Sequence, residues 1–202
     1  MNAGYSDAIY DRITAADSED VFIAGDFLDI ANYETVRKSL NRLDEYGKIR
    51  KISRGIYYNP AYSEFLKEYE APSPNNIALA LARKYNWTIA PSGNTALNQL
   101  GLSSQVPALW TYVSDGPYRK FGFDNIRIEF KRRSNKEISG MSPKTALIIQ
   151  AIKAVGKDKI TESEIAKIRK QLSDKELNLL LTEGRRTTVW VYEVIRRIGE
   201  MK

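Results

Sequence analysis

The sequence predicts an α+β fold in two parts, and two observations lead to this prediction. Residues 1–46 and 142–202 repeat apolar side chains at helical spacing, whereas 49–59 and 109–131 hold short extended runs bounded by turn residues. The N-terminal part is predicted to form three helices, with a short strand after the first, closed by a hairpin. The rest is predicted to be a larger mixed domain with a small antiparallel sheet and C-terminal helices.

The composition indicates a folded chain without membrane segments. The chain has 202 residues, of which 43% are hydrophobic and 28% are charged, a mixture that can bury a core. Its first residues lack the basic start and apolar stretch of a signal peptide, and no apolar run approaches the roughly 18 residues of a membrane-spanning helix. We therefore expect a cytoplasmic protein that does not contact membranes.

Histidine and cysteine are both absent, which removes several classes of active site. Ser-His-Asp and Cys-His catalysis, disulfides and zinc sites built on His or Cys are excluded. Carboxylates alone can hold magnesium, but no carboxylate pair stands at a convincing spacing for nucleotidyl transfer. We expect a protein that is not an enzyme, with no catalytic residues, no metal and no cofactor.

The first two helices are short. Residues 6–16 form the first, because Ser6 suits an N-cap and Ile9 and Ile13 recur at helical spacing. Residues 21–23 are an apolar run typical of a small strand. Asp26 is then a second N-cap, which opens a short helix through residues 27–30.

The third helix has the clearest boundaries. Asn32 is a favourable N-cap, and Gly47 fits the position just past the helix end, where glycine is preferred. Val36, Leu40 and Leu43 follow one another at i, i+4 and i+7, so they form one narrow buried stripe. The opposite face is left to polar and basic side chains.

The stretch KIRKISRGIYYNP, residues 48–60, predicts a hairpin. Residues 49–53 and 56–59 are the strands, and Arg54 and Gly55 make the turn. Tyr57 and Tyr58 are predicted to pack on the core rather than to stack on bases. Helix, strand, helix, helix, hairpin is the order of a winged helix-turn-helix, which we assign to residues 1–62.

Charge is segregated along this domain. Residues 1–36 hold eight acidic and one basic side chain, a balance of −7, whereas 37–54 hold seven basic and two acidic, a balance of +5. A solvated basic face is the plain alternative, but the order of elements favours a footprint for DNA. The residues expected to read the major groove are Thr35, Arg37, Lys38, Asn41 and Arg42. Those expected to hold the backbone or minor groove are Arg50, Lys51 and Arg54.

The second part follows a predicted linker at 63–74 and spans 75–202. Three strands are expected at 109–114, 118–123 and 126–131. Two capping boxes, which begin at Thr161 and Ser173, start helices, and a last helix covers 188–198. Ser92 and Asn94 flank a glycine at another helix start, where a capped structural helix is favoured over a nucleotide site.

A second basic block covers 119–136, with seven basic and two acidic residues, a balance of +5. The cluster Lys131-Arg132-Arg133 within it is either a solvated strand edge that blocks aggregation, a phosphate-binding surface, or a partner for the acidic residues of 17–29. The side chains of this second basic patch are Arg119, Lys120, Arg127, Lys131, Arg132 and Arg133.

Two stretches resemble a known family. RKISRGIYYNP and IAPSGNTALNQLGLSSQVPALWTYVSDGPYRKF are similar to segments of AbiEi-family antitoxins of type IV toxin–antitoxin systems, over about residues 5–135. The resemblance implies a repressor that binds inverted repeats in double-stranded promoter DNA and antagonises a nucleotidyltransferase toxin. Such operators imply a homodimer or two cooperating monomers. The alternative is a protein-interaction module that neutralises a partner toxin directly.

Overall fold

The structure is a computed structural model that describes residues 3–65, 67–133 and 138–201. The chain divides into two compact units, Met1–Asn86 and Trp87–Lys202. Both mix helices with short strands, which confirms the predicted α+β class. None of the helices in these described ranges is long and apolar enough to cross a membrane.

The first unit follows the predicted element order. Its elements in chain order are α1 (Ala3–Ala15), β1 (Val21–Ile23), a 3-10 helix (Ala24–Phe27), α2 (Tyr33–Glu45), β2 (Arg50–Ser53), β3 (Ile56–Tyr58), β4 (Tyr62–Ser63), β5 (Glu68–Tyr69) and α3 (Pro74–Tyr85). The second helix of the predicted motif is thus a single 3-10 segment. The prediction of Asp26 as its N-cap was wrong: Ile23 is the N-cap residue, and Asp26, the third residue of the segment, accepts the backbone N–H of Ile23 at 2.9 Å.

Strands β1, β3 and β2 form an antiparallel sheet in that order, with β3 in the centre. Tyr58 is paired with Val21 on one side and with Arg50 on the other. The sheet and the three preceding helices enclose a core of apolar side chains, as the stripe on α2 predicted. Its members include Ile9, Ile13, Phe27, Val36, Leu40, Leu43, Ile49 and Tyr57.

The first unit extends past the predicted boundary at residue 62. Part of the predicted linker 63–74 pairs as the small hairpin β4–β5. Helix α3, expected in the second domain, belongs to the first unit, because the Arg83 guanidinium donates to the carbonyl of Val21 at 2.7 Å and to the Asp26 carboxylate at 3.2 Å. Asn76 also donates its side-chain amide to the carbonyl of Glu19 at 3.0 Å.

The second unit begins with a sheet and ends in helices. Its elements in chain order are β6 (Ile89–Pro91), α4 (Asn94–Gln99), β7 (Trp110–Ser114), β8 (Arg119–Phe123), β9 (Ile126–Arg132), α5 (Pro143–Val155), α6 (Glu162–Lys170), α7 (Asp174–Glu183), a 3-10 helix (Gly184–Arg186) and α8 (Val189–Glu200). The three strands predicted at 109–131 are therefore confirmed, and β6 joins them.

The four strands lie in the order β6-β7-β9-β8, and one pair departs from the predicted antiparallel sheet. β7 and β9 run parallel, with Trp110 opposite Ile128 and Ser114 opposite Arg132. The reason is the tight hairpin of β8 and β9, which inserts β9 beside β7 and leaves β8 at the edge. A chain that turns back twice returns to its starting direction, so β9 meets β7 in parallel.

The C-terminal helices begin where the sequence places them. Thr161 and Glu164 form a complete capping box at α6, and Ser173 and Glu176 form another at α7. These helices, together with α5 and α8, bury a second apolar core that includes Ile148, Ile152, Ile165, Ile168, Leu180, Val191, Ile195 and Ile198.

Candidate nucleic-acid interface

Helix α2 is capped at both ends by short-range hydrogen bonds. Asn32 accepts the backbone N–H of Thr35 at 3.0 Å, as predicted for its N-cap. Gly47 ends the helix in the left-handed region at φ +69°. The N–H of Gly47 bonds the carbonyl of Asp44, and that of Lys48 bonds the carbonyl of Leu43, which is the Schellman arrangement. The direction of the following hairpin is therefore set by α2 itself.

The five residues predicted to contact DNA from α2 lie on its solvent-facing half, but they are spread around the helix axis and do not form a single row. Arg37 and Arg42 are five positions apart, about 140° around the helix axis, with Lys38 between them. Asn41 lies on the Arg37 side, whereas Thr35 lies on the Arg42 side. Arg37, Lys38 and Arg42 are exposed, so α2 presents a broad cationic surface rather than a single row.

The hairpin β2–β3 separates packing side chains from cationic ones. Tyr57 and Tyr58 are buried, as predicted, while Arg50, Lys51 and Arg54 are exposed. The guanidinium of Arg50 lies over the ring of Tyr69 on β5, 5.5 Å from its centroid, a cation–π contact that holds this charge against the small hairpin.

One cleft of about 630 Å³ joins the helix to the hairpin. Arg37 and Asn41 of α2 line it together with Lys51 and Arg54 of the hairpin. Four of the eight residues predicted to contact DNA therefore share one concavity. Its remaining wall is partly apolar, with exposed Tyr33 and Leu28 among the lining residues.

Asn41 connects the two elements. Its side-chain carbonyl accepts the hydroxyl of Tyr57 at 2.7 Å and the ammonium of Lys51 at 3.2 Å. An amide oxygen has two lone pairs, and these two hydrogen bonds occupy both of them. Bidentate recognition of adenine needs that oxygen as an acceptor. Asn41 in this arrangement positions the hairpin and has only its amide N–H groups to offer.

Nearby carboxylates partly neutralise two of the cations that line the cleft. Arg37 pairs with Glu34 at 2.9 Å, and this hydrogen bond lowers the pKa of the Glu34 carboxyl. Lys51 lies 3.9 Å from Asp44. Exposed pairs such as these contribute little to stability because water and salt screen them, so a phosphate can replace the carboxylate. Lys38 and Arg42 form no ion pair within the described ranges.

Two lining residues were missed by sequence reasoning. Arg83 and Lys84 of α3 also border the cleft, and Lys84 donates its ammonium to the backbone carbonyl of Arg54. The two adjacent cations at a helix end were visible in the sequence, but the predicted boundary placed them in another domain. They tie α3 to β1 and to the hairpin turn.

The second basic patch divides between two faces of its sheet. The register places Lys120 opposite Glu129 and Arg119 opposite Phe130, and side chains alternate along a strand. One face carries Lys120, Arg127 and Lys131. The other carries Arg119 and Arg132. Arg133, after the end of β9, borders a cavity with Lys131. Lys136 of the predicted block lies outside the described residues.

Glu129 sits at the centre of the first of these faces. Its carboxylate accepts the hydroxyl of Tyr118 at 2.6 Å and lies 3.6 Å from Lys120 and 3.4 Å from Lys131. The Tyr118 hydrogen bond and, secondarily, the lysines hold the pKa of this nearly buried carboxyl below its ordinary value. Two of the three basic side chains on this face, Lys120 and Lys131, are therefore partly neutralised by Glu129.

No curated protein matches this chain significantly. A family model matches residues 8–180, a span that runs from within α1 through the sheets of both units and the helices as far as most of α7. The chain therefore belongs to the family described as a family of unknown function, DUF6088.

Proposed function

We propose that this protein binds duplex DNA through α2 and the hairpin β2–β3. The observation that carries the proposal is the shared cleft, in which Arg37 of the helix faces the same space as Lys51 and Arg54 of the hairpin. A convergence of three cations from two elements suits a phosphate backbone that passes between them.

Within this proposal, α2 enters the major groove. Lys38 and Arg42, which form no ion pair in the described ranges, reach base edges, with Thr35 beside them. Arg37, Lys51 and Arg54 hold the neighbouring phosphates. Arg50 contacts the backbone at the rim. Asn41 contributes by fixing the angle between helix and hairpin.

The biological role we propose is that of a repressor. The resemblance of the two quoted stretches to AbiEi-family antitoxins supports autoregulation at promoter inverted repeats and opposition to a nucleotidyltransferase toxin. Two copies of the chain bound to the two half-sites would match the symmetry of such an operator.

The test is the salt dependence of DNA binding. The double variant Arg42→Ala/Arg54→Ala is titrated, as the full chain, with duplex fragments selected from genomic DNA, and affinity is measured by fluorescence anisotropy across a salt series. Each lost phosphate contact lowers the slope of log K against log salt by about one. We expect weaker binding and a slope that is smaller by about one to two units.

The matched control removes the same charge elsewhere. Lys175→Ala/Arg196→Ala changes two exposed cations of the second unit and is expected to leave the affinity closer to wild type. If the Arg42/Arg54 variant keeps both its affinity and its slope while the protein binds DNA, the assignment of this surface is wrong.

A second function is favoured by a different observation. The β4–β5 hairpin carries exposed aromatic side chains: Phe65 at its tip is 94% exposed, and Tyr62 and Tyr69, whose rings contact each other, are about half exposed. Clustered exposed apolar surface of this kind is typical of a contact with another protein. It supports the alternative that the chain binds and neutralises a partner toxin directly. Two results together would favour this alternative. The protein would co-purify with a partner in a stable complex that Phe65→Ser disrupts, and it would retain no DNA.

A further inference from the structure

A second concavity lies within the Trp87–Lys202 unit and is lined by elements other than those of the proposed DNA surface. It encloses about 690 Å³ between one face of the sheet, the start of α4 and the C-terminal half of α5. Cavities of roughly 300–1,000 Å³ are the usual size for small-molecule sites.

Three cations from two elements border this cavity. Lys131 lies near the end of β9, Arg133 directly follows that strand, and Lys153 comes from α5. Their positions follow from the register: Lys131 is paired with Val113 on β7, and the backbone N–H of Arg133 continues the ladder by donating to Ser114 at 2.8 Å. Acidic side chains are absent from the described lining. Lys131 also lies 3.4 Å from the Glu129 carboxylate, but three cations against one nearby carboxylate still favour a ligand with more than one negative charge.

A buried amide gives the second, independent observation. Gln150 of α5 lines the cavity and is only 6% exposed. Its Nε2 has no hydrogen-bond acceptor among the described residues. Buried donors in native structures are almost always paired, and an unpaired one calls for an explanation such as a ligand. A hydrogen-bond acceptor on a bound molecule would satisfy it.

The start of α4 borders the same cavity. Gly93 is its N-cap residue, and no side chain caps the helix, contrary to the capped helix favoured from the sequence. Ser92 instead directs its hydroxyl to the carbonyl of Thr111 at 3.3 Å. The loop at 107–109 completes the rim with small and apolar residues, so the cavity combines a cationic wall with a partly apolar one.

We infer that this cavity binds a phosphorylated small molecule of about mononucleotide size, whose phosphate is held by Lys131, Arg133 and Lys153 and whose acceptor group pairs with Gln150. A phosphate fits three converging cations better than a carboxylate, because it carries up to two negative charges and three acceptor oxygens. A compact ligand fits better than a long polyanion, because the lining of this concavity includes an amide side chain that is only 6% exposed.

The test is isothermal titration calorimetry of the full chain with three probes: inorganic phosphate, uridine 5′-monophosphate, whose ring carbonyls are acceptors, and uridine. We expect phosphate to bind, the nucleotide to bind more tightly, and uridine not to bind measurably. Arg133→Gln should weaken binding of both phosphorylated probes by about tenfold or more, the usual effect of losing a charge-assisted hydrogen bond.

Two further variants make the result specific. Arg132→Gln removes the neighbouring charge, which points to the opposite face and does not line the cavity, and should leave binding unchanged. Gln150→Leu should remove the advantage of the nucleotide over phosphate. Without ligand it should melt no lower than wild type, because it removes an unpaired donor.

Three outcomes would overturn the inference. The first is that neither phosphorylated probe binds the wild-type protein. The second is that Arg132→Gln weakens binding as much as Arg133→Gln, which would indicate a diffuse charge effect. The third is that Arg133→Gln weakens binding of duplex DNA but not of phosphate, which would place this residue on a nucleic-acid surface.

Discussion

At the scale of single residues, Asn41 and Tyr57 illustrate how one hydrogen bond can set a surface. Tyr57 is buried in the core of the first unit, and burial, followed by the nearby Asp44, raises the pKa of its phenol. It therefore remains a donor at neutral pH, and its hydroxyl reaches Asn41 at 2.7 Å. The bond links the buried side of the hairpin to the solvent side of α2.

Tyr57→Phe tests this link. Removing the hydroxyl should lower the free energy of unfolding by about 1 kcal/mol, the usual net value of such a hydrogen bond. Urea unfolding measures it, with Tyr62→Phe, whose ring is about half exposed, as the control. Combined with Asn41→Ala, the loss should be less than additive by at least about 0.5 kcal/mol. Strict additivity would show that the two side chains act independently.

Glu129 gives a prediction about pH. Its folded-state pKa is held below the ordinary glutamate value, so the stability it contributes is present above that value and is lost as pH falls through the folded pKa. Glu129→Gln should therefore be less stable than wild type at pH 7, and the difference should shrink at about pH 3. Urea unfolding at the two pH values measures this. An equal difference at both would contradict the role assigned to the ionised carboxylate.

At the scale of elements, the turn between β7 and β8 shows a requirement that a turn signal alone does not reveal. Asp115-Gly116-Pro117 predicts a turn, but the structure shows why glycine is needed at its centre. A Cβ on Gly116 would lie 2.4 Å from the Trp87 ring. That ring packs edge-to-face on Phe130 with centroids 5.5 Å apart, so a displaced Trp87 disturbs the aromatic face of the sheet.

Gly116→Ala should consequently lower the free energy of unfolding by about 1–3 kcal/mol, the range for overpacking a filled site. Thermal unfolding followed by tryptophan fluorescence would report both the loss and the displaced ring. Gly122→Ala is the matched control on β8, because its added Cβ meets nothing closer than 3.5 Å. Equal stability of the two variants would show that Trp87 moves without cost.

Elements with local signals were predictable, and those that depend on distant contacts were not. Helix α2 carries its cap, its apolar stripe and its terminal glycine within residues 32–47, so its bounds follow from the sequence. The parallel pairing of β7 and β9 depends on which strand β9 meets, and strand spacing does not encode that choice. The membership of α3 rests on Arg83, whose partners lie 57 and 62 residues away.

The candidate site was predictable to a similar degree. The eight residues were found from helix phase and charge, and four of them line one cleft. The engagement of Asn41 by Tyr57 and Lys51 could not be read from the sequence, because it depends on the angle between helix and hairpin. The same holds for the division of the second basic patch, since the strand register decides which face each side chain occupies.

At the scale of the whole molecule, the net charge of a unit does not indicate where its basic side chains are concentrated. The first unit holds 11 basic and 13 acidic residues, a net charge of −2, whereas the second holds 20 basic and 12 acidic, a net charge of +8. The proposed DNA surface thus depends on local segregation, with the basic block of 37–54 set against an acidic remainder. Acidic residues around a cationic surface disfavour loose binding to phosphates elsewhere on the unit.

DNA binding through α2 and the hairpin β2–β3 is tested most directly by site-specific photocrosslinking of the full chain to DNA fragments that it selects from a genomic pool. A photoreactive residue is placed at Lys38 on α2, at Arg54 in the hairpin turn, or at Asp11, an exposed acidic position of α1. We predict crosslinks to DNA from positions 38 and 54 and none from position 11. The proposed DNA surface would be contradicted if the protein retained DNA but crosslinked to it from position 11 alone. It would also be contradicted if the protein retained no fragment.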